Sequence, residues 1–176
     1  YYDMYKHPLK GEIDIERIDK YPWPDPTDPA RVKGLKEKAK KFKIHHKKAT
    51  FMDCMAAGVF ELAGWIRSFE DFFMDLATDP SKACYLMDKL LEIRMAYWKM
   101  VLEELGDYIL IVRDGEDLGV QSGLMISPEM YRKYVKPREK KLISYIKKIA
   151  PKPVYIVFHT CGSVYEIIPD LIEIGV

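Results

Sequence analysis

The segment His159-Thr160-Cys161 places an imidazole and a thiol two residues apart, directly after the apolar run 154–158. Residues two apart in extended backbone project to the same side, so the pair can share one cation. A soft thiolate beside an imidazole suits zinc best. Two donors do not complete such a site. Catalytic zinc takes three protein ligands and keeps one position open, so a further donor must come from elsewhere. The same residues also fit a packed cysteine beside a capping histidine, and spacing alone leaves both readings open.

A second cluster, Asp114, Glu116 and Asp117 with Gln121 nearby, follows the apolar run 108–112. Crowded carboxyl groups repel one another, which can raise one pKa for proton transfer or attract a cation. A solvated acidic loop that caps the next helix accounts for them as well. Asp53-Cys54 is a third place, with Asp53 either a pocket carboxylate or a loop hydrogen-bonder. Cys54 and Cys84 read as small apolar fillers. His45 and His46, between lysines on a linker, read as exposed. The basic residues between Lys33 and Lys48 read as the solvated face of a helix.

The elements that must position these residues can be followed along the chain. Residues 1–30 form a Pro-rich opening loop, since the four prolines of 21–29 fix φ and withdraw backbone donors. Asp28-Pro29 reads as N-cap and first turn of a helix to about Lys43, with Val32, Leu35, Ala39 and Phe42 on one stripe. Residues 49–55 can be a strand that turns at Ala56-Ala57-Gly58 into a helix over 59–66, followed by a short helix over 68–76. Asp79-Pro80 starts a long helix that Gly106 stops. Its apolar stripe is Ala83, Leu86, Met87, Leu90, Leu91, Met95, Trp98 and Leu102.

Residues 108–112 then read as a strand buried on both faces, with 113–119 as its loop. Ser127-Pro128-Glu129 opens a helix to about Ile149. Residues 154–158 are a third buried run, before a helix with Ile167, Ile168, Leu171 and Ile172 facing inward.

Strand, polar loop and helix recur three times, which predicts an α/β fold of parallel β-α units with right-handed crossovers. Doubly wound sheets and (β/α)8 barrels both satisfy the pattern. A barrel needs eight strands and ~250 residues. In that reading this chain is an internal portion of about three units, and its ends, at Tyr1 and Gly175-Val176, read as cut. In either fold, catalytic residues gather at the C-terminal ends of the strands, where all three clusters fall.

The bulk composition narrows the partners. With 176 residues, 28 basic against 27 acidic and a net charge of +1, no whole-chain field draws in nucleic acid or an anionic membrane. The 48% hydrophobic and 31% charged content is that of a soluble globular protein, which points to a small-molecule substrate. Three cysteines at unrelated spacings suggest no disulfide framework and fit a reducing, cytoplasmic setting. The apolar runs fall far short of the ~18 residues that a membrane span needs.

Five segments together resemble the uroporphyrinogen decarboxylase superfamily: Gly58-Val-Phe-Glu-Leu-Ala-Gly-Trp-Ile-Arg67, Asp75-Leu-Ala-Thr-Asp-Pro80, Glu116-Asp-Leu-Gly-Val-Gln121, Ser127-Pro-Glu-Met-Tyr-Arg-Lys-Tyr134 and His159-Thr-Cys-Gly162. Their order and spacing match over nearly the whole chain. The resemblance implies a (β/α)8 TIM barrel of about twice this length, of which the chain is the middle. One branch of the superfamily comprises cofactor-free decarboxylases that act on uroporphyrinogen in porphyrin biosynthesis. The other comprises zinc-dependent methyltransferases that move a methyl group between a corrinoid (cobalamin) protein and a thiol such as coenzyme M.

In the methyltransferases a His-x-Cys pair and a later Cys hold the zinc. The resemblance therefore makes His159 and Cys161 two of its ligands, with the third beyond Val176. The decarboxylases lack that pair and hold substrate with a Tyr and a Ser, at positions that correspond to about Trp65 and to Asp114-Gly115; both differ here. What the resemblance implies is a zinc-dependent methyltransferase with a corrinoid partner. Glu116 and Asp117 would be its catalytic acids, and Asp114, Gln121 and Trp65 would contact substrate. A decarboxylase is the alternative, and a non-catalytic barrel that docks a corrinoid protein is the second.

Overall fold

The computed structural model describes residues 4–46, 48–54 and 56–176, apart from the side chains of 44–46. Before the first strand come α1 (Ile15–Asp19), a 3-10 turn (Pro29–Arg31) and α2 (Leu35–His46). β1 (Phe51–Met52) leads into α3 (Val59–Arg67), α4 (Phe69–Thr78) and α5 (Pro80–Leu105). β2 (Ile111–Gly115) is followed by an antiparallel hairpin, β3 (Gly119–Val120) and β4 (Gly123–Leu124), and then by α6 (Pro128–Met130) and α7 (Lys136–Ile149). β5 (Tyr155–His159) precedes α8 (Ile168–Ile174).

β1, β2 and β5 form one parallel sheet in that order, with Ile111 opposite Phe51 and Tyr155, and Gly115 opposite His159. The three β-α units are therefore present. This is an α/β fold consistent with part of a TIM barrel; three strands do not close one.

Helix α5 is the largest supporting element. Asp79 caps it through Ser81 N–H, Pro80 occupies its first turn, and Gly106 follows its end, as the sequence predicts. Its stripe is buried from Ala83 to Leu105 and, between Leu91 and Trp98, includes the buried Arg94. The layer between this helix, α7 and the sheet holds Val112, Ile143, Ile146 and Ile156.

Several expected boundaries move for identifiable reasons. The opening segment is more than a loop: Leu9, Ile13 and Ile18 are buried, and Asp14 caps α1. Asp28 caps only the 3-10 turn, because Gly34 takes a φ of 75° and the helix restarts at Leu35, which leaves Phe42 exposed. The expectation for the His45 and His46 side chains lies outside the described residues; their backbone completes α2 instead of forming a linker.

The strand expected over 108–112 is shifted, so Arg113, Asp114 and Gly115 belong to β2 and not to its loop. Neither β2 nor β5 is sealed on both faces. Val112, Asp114 and Ile156 face the helices, whereas Tyr155, Val157 and His159 lie on the open side of the sheet. In the last helical segment Ile167, Leu171 and Ile174 point inward, while Ile168 and Ile172 are exposed.

The helix after Ser127 contains an irregularity with a clear cause. Pro137 has no N–H to donate four residues back, and the ladder opens into a π-helical stretch, Tyr131–Val135. Eight residues of regular helix would leave Tyr131 and Glu139 about 80° apart; one inserted residue cuts this to roughly 20°. Both side chains reach the same buried face, where the Tyr131 hydroxyl donates to Glu139 Oε2 at 2.5 Å.

Candidate metal centre

The β2–β5 register builds the site. Gly115 and His159 are its last pair, and the two chains stay alongside each other past the sheet. Glu116 N–H donates to the His159 carbonyl at 3.0 Å, Leu118 N–H to Thr160 Oγ1 at 3.3 Å, and Ser163 N–H to the Val120 carbonyl at 2.8 Å. Cys161 N–H donates to Asp117 Oδ1 at 3.1 Å across the same 44-residue separation that relates Gly115 to His159. Gly162, at φ +78°, lies so close to the Gly119 backbone that a Cβ there would overlap it. The two loops are thus locked side by side, which puts Asp117 next to His159-Thr-Cys161.

His159 Nε2 is 3.5 Å from Cys161 Sγ and 3.5 Å from Asp117 Oδ1. Asp117, His159 and Cys161 are the one group of three metal-type donors found among the described residues, with ligand atoms all within 4.8 Å of one another. Tetrahedral zinc with bonds of about 2.0–2.3 Å sets its ligands roughly 3.3–3.6 Å apart, so the two spacings from His159 fit a first coordination shell. The Asp117 carboxylate beside Cys161 pushes the thiol pKa up. A cation between the two would favour the thiolate instead.

The other expected residues divide between two levels. Gln121 and Trp65 line a cavity of about 280 Å3 on the Cys161 side of the donors, together with Glu61, Asp117 and Cys161. A second cavity of about 280 Å3 lies on the His159 side and contains Asp53, Arg113, Glu61 and Asp117. Arg113 Nη1 donates to Asp53 Oδ1 at 2.7 Å, which holds that carboxyl below its ordinary range.

Asp114 and Glu116, by contrast, lie beneath the site and reach neither of these cavities. Asp114 is buried and bonded to Arg94, whose guanidinium also donates to the Ala56 and Ala57 carbonyls. Glu116 is 2% exposed and accepts from the Phe60 and Glu61 N–H groups at 3.0 and 2.9 Å. It therefore caps α3, whose own N-cap residue, Gly58, has no side chain with which to do so. In return Glu61 Oε2 accepts from Asp117 N–H at 3.0 Å, so loop and helix clasp each other in both directions.

Sequence reasoning missed Glu61 and Arg94. Arg94 carried a readable signal, a charge at a core phase of a buried helix. Glu61 did not, because its role depends on a loop 56 residues away.

Asp114, Glu116 and Glu139 surround Arg94 at a small cavity of about 10 Å3, on the scale of one water molecule. Arg94 Nε, Asp114 Oδ2 and Glu139 Oε1 have no hydrogen-bond partner there. Burial raises all three carboxyl pKa values, and the approach of Glu139 raises Glu116 further. Glu139 is pushed up to about 7.

Residues 6–176 match the family model described as Uroporphyrinogen decarboxylase (URO-D). The chain belongs to the uroporphyrinogen decarboxylase family. A curated relative within reach of this family member is the methylcobamide:CoM methyltransferase MtbA of Methanosarcina mazei, 27% identical over 158 residues. That match covers 90% of this chain and 43% of the relative. Among solved structures, a methyltransferase from Methanosarcina mazei superposes with a TM-score of 0.61 at 18% identity, covering 77% of this chain and 36% of that one. The chain thus spans less than half the length of each of these two proteins.

Two consequences can be measured. A Cβ at Gly58 would overlap the Glu116 carboxyl group. Gly58→Ala should expel that cap and lower stability by about 1–3 kcal/mol in urea unfolding. For Glu139, between about pH 4.5 and 7 the folded protein holds a proton that the unfolded chain has released, so stability falls as pH rises through that window. Glu139→Gln should therefore flatten the difference between urea midpoints at pH 5 and pH 7.5; an unchanged difference would locate the titration elsewhere.

Proposed function

We propose that the chain carries the metal-binding catalytic face of a methyltransferase, with zinc held by Asp117, His159 and Cys161. The observation that supports this best is the convergence of carboxylate, imidazole and thiol at the C-terminal ends of two adjacent parallel strands. Such a set can hold zinc and still leave a position open. The family resemblance implies a further donor beyond Val176, and Asp117 is a candidate donor within the chain. When bound, zinc keeps an acceptor thiol in its nucleophilic thiolate form near neutral pH.

The protein's own groups position and shield this chemistry. The Glu61 carboxylate fixes the Asp117 backbone, and Thr160 Oγ1 fixes the residue that follows it. The two cavities meet at Asp117 and Glu61, so each of two reactants can approach the donors through its own cavity. By analogy with the methylcobamide:CoM methyltransferase, one reactant is a small thiol and the other a methyl-bearing corrinoid on a partner protein. The decarboxylase alternative needs loop groups that bind substrate carboxylates. The carboxyls at the β2 end either lie buried below the cavities or are themselves acidic donors, which favours the methyltransferase reading. The non-catalytic alternative, a barrel that only docks a corrinoid protein, predicts that Cys161→Ser leaves turnover unchanged.

The purified chain should take up about one zinc per molecule, and cobalt substitution should give a thiolate-to-metal absorption band. Asp117→Asn should weaken metal affinity by about 10-fold or more, and Cys161→Ser should also remove the band. Full metal affinity in Asp117→Asn would remove Asp117 from the ligand set, and absence of the band in the cobalt-loaded wild type would exclude Cys161.

A further inference from the structure

The cavity on the Cys161 side differs in chemistry from its neighbour. Trp65, near the end of α3, and Phe69, at the start of α4, form an aromatic corner with ring centroids 6.3 Å apart at 67°. Met125 adds a polarisable thioether to the same wall. Glu61 is fastened at both oxygens: Oε1 accepts from Trp65 Nε1 at 3.3 Å and Oε2 from Asp117 N–H at 3.0 Å. Its charge is therefore held beside the rings and is not free to swing into solvent. No lysine or arginine is among the described residues that line the cavity, whereas the neighbouring cavity contains Arg113.

Aromatic faces with a fixed carboxylate and no competing cation attract positive charge. Each Glu61 oxygen already accepts one hydrogen bond, and the Trp65, Phe69 and Met125 walls offer no strong acceptor, so a cation that demands several hydrogen bonds is less well served there. A cation whose charge is spread over methyl groups needs none. With Asp117 committed to the proposed metal, Glu61 is the remaining counter-charge at the rim, and it disfavours anions.

We propose that this cavity binds a methylated onium cation, a quaternary ammonium or a sulfonium, against Trp65 and Phe69 with Glu61 as its counter-charge. At about 280 Å3 the cavity lies near the small end of ligand pockets, ~300 Å3, which matches a compact onium and not a large ring system. This assigns a ligand class to the cavity beside the metal donors; any part for it in the methyl transfer proposed above rests on that reading, and the binding does not.

The test compares choline with its neutral isostere 3,3-dimethylbutan-1-ol by calorimetry on the full chain at fixed ionic strength. Choline should bind roughly 2- to 30-fold more tightly, the range expected for a cation over an aromatic face. Glu61→Gln, which keeps an amide oxygen as acceptor but drops the charge, should remove most of that preference. Trp65→Leu should do likewise, and Phe69→Leu serves if Trp65→Leu does not fold. Equal affinity for the two ligands overturns the proposal, as does a preference that survives Glu61→Gln. A thiol-methylation assay with methylcobalamin as the methyl donor separates the two readings. Selective choline binding without methyl transfer keeps the onium site and removes the methyltransferase; methyl transfer without onium preference does the reverse.

Discussion

The parallel register of β2 on β5 is the constraint on which the rest depends. It sets Gly115 opposite His159, and because the loops keep the same offset beyond the sheet, it also sets Asp117 against Cys161. Adjacent strands are about 4.8 Å apart, so side chains that rise from neighbouring strand ends on one face come within reach of a single ion. A slip by one residue would turn His159 and Cys161 toward the helices and dissolve the group. The Gly119–Gly162 approach guards against such a slip, since no side chain fits between the two loops.

Beneath that register lies a charged layer that would be costly without its partners. Arg94 is buried among Asp114, Glu116 and Glu139, and it ties helix α5 to the end of β2 and to the Ala56-Ala57 carbonyls that precede α3. A lone buried arginine would be strongly destabilising; its carboxylate and carbonyl partners offset the desolvation. The remaining excess of negative charge is relieved by proton uptake, which is why burial and mutual repulsion raise the carboxyl pKa values. Rigidity passes upward from this layer: Glu116 caps α3, α3 presents Glu61, and Glu61 holds Asp117.

The donors separate two cavities of different polarity. The arginine-bearing cavity and the aromatic, acidic cavity share Glu61 and Asp117 as a common wall. Such a division would suit the two-reactant transfer proposed above, because each reactant must reach the reacting atom without displacing the other.

Much of this was legible from local pattern. Caps, prolines and apolar stripes are short-range signals, so α5 could be bounded almost to the residue, and the strand–loop–helix rhythm identified a parallel α/β fold. His159 and Cys161 stood out for the same reason, being two residues apart on one strand. What no local pattern could show was which acidic residue joins them. Asp114, Glu116 and Asp117 look alike in sequence, yet the alternation of β2 sends Asp114 into the core, α3 draws Glu116 down as its cap, and only Asp117 emerges beside the imidazole and thiol. Those three fates depend on contacts with partners 20 to 56 residues away. The sequence by itself determined the chemistry on offer; the tertiary structure decided which carboxylate could take part, because strand register and long-range hydrogen bonds place each side chain.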